Sequence, residues 1–338
     1  MGVYRFVLAG LVVASHCGIL FAGYNEGVVA VVSFMLLSGY IMSIIINNNY
    51  ATVGSDHIFY IDRIVRLAPQ FIFFSAASLI LLNFTKLGIE HLSGMEYNSC
   101  STPILLLNFS LFANNFNRFF GSCMLLPASW SLGLEASFYA IAPFLLRRAN
   151  RLARCAAAAA SIVFFFLAYF GMIDADLYAY RLLPGTLIIF FTGAALADPS
   201  LFPRNAAPIL WLCVLALYLW SRGAPAIYDR PFLKEVLVGL LLGAPILALL
   251  SARPFSAVDE LAGSVSYGVY LNHIMLIWIA QGYFGVRSWG PGSFAILLVA
   301  ASLLATLTYV FIERPTLSWR RRIRSTRRLP SAQAVHHI

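Results

Sequence analysis

Ten apolar runs, each of a length that crosses about 30 Å of hydrocarbon as a helix, decide what this 338-residue chain is able to fold into. They fall near 4–22, 27–46, 68–84, 129–146, 155–171, 182–198, 206–221, 232–250, 265–284 and 293–312. A soluble domain carries about 25% charged residues, whereas here 60% of residues are hydrophobic and 11% charged, so a water-soluble fold has too little polar surface to cover the rest. The expected fold class is all-α: a polytopic integral membrane helical bundle of about ten transmembrane helices. The stretch 103–116 is shorter and carries Asn108, Asn114 and Asn115, and is expected to be interfacial or re-entrant.

The net charge of +9 invites a nucleic-acid reading, but the placement of the cations argues against it. With the N-terminus inside, 16 Lys/Arg fall in cytoplasmic segments and seven outside, as the positive-inside rule expects. Both termini are then cytoplasmic, and the basic tail 316–338 faces lipid headgroups. Residues 1–315 form a single transmembrane domain, with no repeat or appended catalytic module in view. The apolar run follows Met1 almost at once, so it is read as a first span and not as a cleaved leader. Cys17, Cys155 and Cys213 fall in or beside spans and read as packing residues, while Cys100 and Cys123 share the long outer loop 85–128, where a disulfide is chemically allowed.

Ionisable groups inside a span cost several kcal/mol by most estimates, so each requires a partner, a cavity or a role. His16 lies twelve residues into the first run, roughly 18 Å from its start by helical rise. Imidazole accepts and returns a proton near neutral pH, which suits a general base, although a neutral histidine bonded to a neighbouring helix is the plainer alternative. Arg63 and Arg66, in YIDRIVRLAP, share one face if this stretch is helical. Two forked guanidiniums make a phosphate clamp, and equally a positive-inside anchor. Glu135 in the fourth span either orients a buried cation or pairs with one structurally. His273 sits beside Asn272 in the ninth. Ser38 and Gly39 suit close helix packing, and Glu313-Arg314-Pro315 reads as a headgroup-level helix end. No metal-ligand spacing is present, and no metal is expected.

In order, the stretches YRFVLAGLVVASH, GVVAVVSFMLLSGY, DRIVRLAP, PASWSLGLEASFYAIAP, SYGVYLNH and FIERP resemble the acyltransferase-3 family of bacterial membrane O-acyltransferases, from residue 4 to 315. The resemblance implies a catalytic role for His16, with Glu135 as the glutamate of the W-S-L-x-x-E motif. It implies acyl-CoA use, with acetyl-CoA the expected donor, by Arg63 and Arg66. Arg5, Ser266, Tyr267, Gly268 and His273 fall on further motif positions. Two positions depart from the family: Gly2 stands where many members carry an acid, and Phe34-Met35 replaces a double Phe. The implied partners are an acyl-CoA donor, a carbohydrate or glycolipid acceptor and membrane lipids, with no nucleic acid. The implied location is the bacterial inner membrane. A transporter or flippase of a lipid-linked sugar is the competing expectation. It leaves the ordered set His16, Arg63 and Arg66 unexplained.

Overall fold

The computed structural model describes residues 1–50, 56–84, 101–119, 123–252 and 256–318, and these residues form helices with no strand among them. Cys100, Glu90, Glu96 and the tail beyond 318 lie outside the described residues. Cys123 is buried and disulfide-bonded, whereas Cys17, Cys155 and Cys213 carry free thiols.

Among the described residues six helices are long and apolar enough to cross a membrane: Glu26–Asn49, Asp56–Asn83, Arg151–Tyr169, Asp176–Ala197, Leu233–Ser251 and Pro291–Ser318. The chain is a multi-pass helical membrane protein. The other four expected runs appear as helices that are shorter or more polar. These are α1 (Gly2–His16), α6 (Trp130–Pro143, continued by a π turn to Arg148), α9 (Ala206–Ser221) and α12 (Ala257–Phe284), the last carrying Asn272, His273 and Gln281.

Two local findings revise the sequence reading, and a third adds detail to it. First, α1 stops at His16 instead of continuing to 22, because Gly18 turns the chain with a positive φ of 74°. Second, α3 begins at Asp56, twelve residues before the expected span, and runs 29 residues to Phe84, about 43 Å. Arg63 and Arg66 are therefore inside a long helix and not in a loop preceding one. Third, 103–116 folds into α4 (Thr102–Leu107) and α5 (Leu111–Asn114), of six and four residues. Neither is long enough to cross a bilayer. Their asparagines explain the folding: Asn108 Nδ2 donates to Cys123 O at 3.0 Å, its Oδ1 accepts from Leu125 N at 2.8 Å, and Asn114 Nδ2 donates to Ser129 Oγ at 2.9 Å.

The described residues group into two compact units, each drawn from separate stretches of sequence. Unit two comprises Leu20–Phe59 and Leu134–Phe255. Its centre is α2 (Glu26–Asn49), capped by Asn25 Oδ1 on Val28 N and packed against α8 (Leu183–Ala197) and α11 (Leu233–Ser251). The α2–α8 contact is backbone on backbone. A Cβ on Gly39 would fall 1.9 Å from Phe190 O, and one on Gly193 would fall 1.9 Å from Leu36 O. Small residues at such crossings are how membrane helices gain dispersion contact when water supplies no driving force. Gly193→Val should therefore destabilise unit two by about 3 kcal/mol, the upper range for overpacking. A lowered thermal midpoint in detergent checks this.

Unit one comprises Met1–Ile19, Tyr60–Gly133 and the chain from Ser256 onward. Here α1 lies along α12, and the register is read from its two ends. The Gly2 backbone abuts Asp259 and Gly263, and His16 meets His273 fourteen residues further along both helices. The two helices therefore run parallel for about 21 Å. At Gly2 a Cβ would fall 1.7 Å from Asp259 O, which is the steric reason this position holds glycine. On its other side α12 meets α13 (Pro291–Thr308), with Gly268 against Ala305 and Asn272 Nδ2 donating to Ala301 O at 2.9 Å.

Candidate active site

Unit one gathers most of the residues singled out in the sequence, and α12 is the element that aligns them. His273 is completely buried and His16, at the end of α1, is exposed. Their rings lie 5.0 Å apart between centroids, with His273 Nε2 3.3 Å from His16 Nδ1. Each ring also uses Nδ1 toward the carbonyl four residues earlier in its own helix: His16 toward Val12 O at 2.9 Å, His273 toward Val269 O at 3.2 Å. No partner of His16 Nε2 is present among the described residues. The Tyr270 ring packs 6.1 Å from His273, and its hydroxyl bonds Ser131 Oγ and Ala128 O.

Six residues before His273 on the same helix, Tyr267 meets α3. Its hydroxyl donates to Leu67 O at 2.8 Å, and the Arg66 guanidinium lies 5.9 Å over its ring. Arg66 forms an ion pair with Glu313, whose side chain is almost fully buried, and Gln70 Nε2 donates to the other Glu313 oxygen at 2.8 Å. Glu313 is thus buried in protein and not solvated. The π turn Tyr309–Glu313, which follows α13, brings it into the helix packing instead. Arg66 is consequently charge-balanced by a carboxylate and a π face. Arg63, one turn earlier, is half-buried on α3. No hydrogen bond or ion pair of the Arg5 side chain is present among the described residues. Ser266 is buried, and its hydroxyl donates to Gly263 O of its own helix at 2.8 Å.

A second cluster lies in unit two. Ser38 Oγ and Tyr139 OH both donate to Glu135 Oε1. Two hydroxyl donors hold the carboxyl group in place. Tyr139 was not anticipated, although its spacing of one helical turn from Glu135 was readable. Gln70 and Tyr270 were likewise missed. Gln70 stands four residues after Arg66 at the start of an apolar run, and that is the signal a sequence reader has.

The family model described as an acyltransferase domain matches residues 2–311, nearly the whole chain. The chain belongs to the acyltransferase-3 family. Among relatives, an uncharacterized protein of Aquifex aeolicus is 30% identical over 46% of this chain and 72% of its own length. A putative peptidoglycan O-acetyltransferase of Bacillus subtilis is 25% identical over 86% of this chain and 50% of its own. The chain thus spans half the length of that Bacillus protein. Nodulation protein 10 of Rhizobium leguminosarum is 25% identical over 85% of this chain and 81% of its own. No solved structure matches. As a member of the acyltransferase-3 family the chain is a membrane O-acyltransferase, which displaces the transporter expectation.

Proposed function

We propose that this O-acyltransferase of the bacterial inner membrane moves an acetyl group from cytoplasmic acetyl-CoA to a hydroxyl of a carbohydrate or glycolipid on the outer side, both termini being cytoplasmic. The observation that carries this reading is the ruler formed by α12. Tyr267 touches Arg66 and His273 touches His16, six residues apart on one helix, which is about 9 Å of rise. An extended pantetheine arm of about 15 Å spans that interval with length to spare. Phosphates held near Arg63 and Arg66 then leave the thioester within reach of His16. The name of the Bacillus relative, a putative peptidoglycan O-acetyltransferase, supports a glycan as acceptor, and a peptidoglycan or lipid-linked saccharide is the class to test first.

In this mechanism His16 Nε2 takes the proton of the acceptor hydroxyl as its oxygen attacks the thioester carbonyl. The new C–O bond forms, the C–S bond breaks, and the departing CoA thiolate recovers the proton from His16. No redox partner or metal enters the balance.

The test is turnover of radiolabelled acetyl-CoA by purified protein with candidate glycans. Arg63→Ala should raise KM for acetyl-CoA about tenfold, the value of one charge-assisted contact of about 1.4 kcal/mol, with kcat little changed. Wild-type protein that neither binds nor turns over any acyl-CoA would overturn the donor assignment.

A further inference from the structure

Three contacts fix more about His16 than its location. Its Nδ1 points at once toward the Val12 carbonyl at 2.9 Å and toward His273 Nε2 at 3.3 Å. The Val12 oxygen only accepts. His273 Nδ1 faces a second carbonyl, Val269 O at 3.2 Å, so that nitrogen carries the His273 proton and Nε2 of the same ring presents a lone pair. Both neighbours of His16 Nδ1 are therefore acceptors. Only a proton on Nδ1 satisfies them. The opposite assignment sets lone pairs against lone pairs at two contacts. A buried polar group left without its hydrogen bond costs about 1 to 3 kcal/mol.

We propose that His273 is a positioning residue that holds the His16 proton on Nδ1 and so keeps Nε2 as the base. A neutral imidazole here does what a carboxylate does in a Ser-His-Asp triad, orienting the working histidine and accepting from its far nitrogen as the ring becomes a cation. The burial of His273 and its anchoring through Val269, with Asn272 tied to α13, keep the accepting nitrogen in place when the His16 ring gains charge. The inference rests on the acyl-transfer reading for its kinetic consequence, but its geometric content stands apart from that reading.

Two measurements separate the two. In wild-type protein labelled with 15N-histidine, the imidazole signal of His16, identified by its loss in His16→Ala, should report the proton on Nδ1. In turnover, His273→Phe should lower kcat about 100-fold or more with KM for acetyl-CoA within about threefold. His273→Gln, whose side-chain carbonyl also accepts, should recover about tenfold of that loss, a rescue that a purely space-filling role does not give. A His16 proton found on Nε2 overturns the inference whatever the variants do, including the case where His273→Phe fails to fold. A folded His273→Phe with kcat within about threefold of wild type overturns it too. Absence of any acetyl transfer by wild type counts against the proposed function and leaves the tautomer measurement as the deciding one.

Discussion

His16→Ala should reduce acetyl transfer by about 10⁴-fold or more, to near the uncatalysed level, while the protein remains folded and monodisperse. The expected size follows from what the ring supplies: proton transfer from a weak nucleophile alone is typically 10² to 10⁴-fold, and orientation of the attacking oxygen multiplies it. The expectation of intact folding comes from the exposure of His16 at the very end of α1, where truncation opens no cavity. Substitutions at such positions usually change stability by no more than about 0.5 kcal/mol. Activity and thermal midpoint measured on one preparation check both halves. Normal acetylated product from the variant would remove His16 from the chemistry.

Glu313→Ala should be the most damaging change to stability in unit one. The Glu313 carboxylate is buried, ion-paired with Arg66 and accepting from Gln70, so its loss removes both contacts from the helix packing. Breaking one side of a buried ion pair costs about 3 to 5 kcal/mol, whereas replacing both sides with apolar groups is often neutral. The double variant Arg66→Met/Glu313→Met should therefore regain most of the lost thermal stability. Acetyl-CoA affinity should stay impaired in the double variant, since Arg66 is gone. Equal melting temperatures for wild type and Glu313→Ala would show that the pair carries little energy. Recovery of donor affinity along with stability would show that Arg66 has a structural role alone.

Much of this molecule was legible before its coordinates. Apolar runs report the solvent directly, so the helices around 27–46, 155–171 and 232–250 fall close to where the sequence placed them. Helix ends were less readable. The end of α1 depends on a single left-handed glycine within an otherwise apolar run, and the start of α3 lies among polar residues that do not look like a membrane span. Pairings across the chain were the least accessible. His16 and His273 were each visible as an anomaly in lipid, but nothing in one sequence states that two such anomalies touch. The burial of Glu313 was hidden for a related reason: a glutamate followed by arginine and proline reads as a helix end, and its partners Arg66 and Gln70 lie far away in sequence. Gly2 shows the reverse case. As a departure from a motif it looked like a lost acid, and in three dimensions it is the point at which two helix backbones touch.

The parallel pairing of α1 with α12 bears on how this enzyme is made. The two histidines are separated by 257 residues. At ribosomal speeds of about 5 to 20 residues per second, α1 leaves the ribosome on the order of 10 to 50 s before its partner exists. During that interval Gly2 and His16 face no α12, and the proposed positioning of the His16 proton by His273 is absent. On the proposed mechanism nascent chains are chemically silent. Acyl transfer then switches on when the late helix packs beside the early one, so insertion of α12 is the step that completes the site.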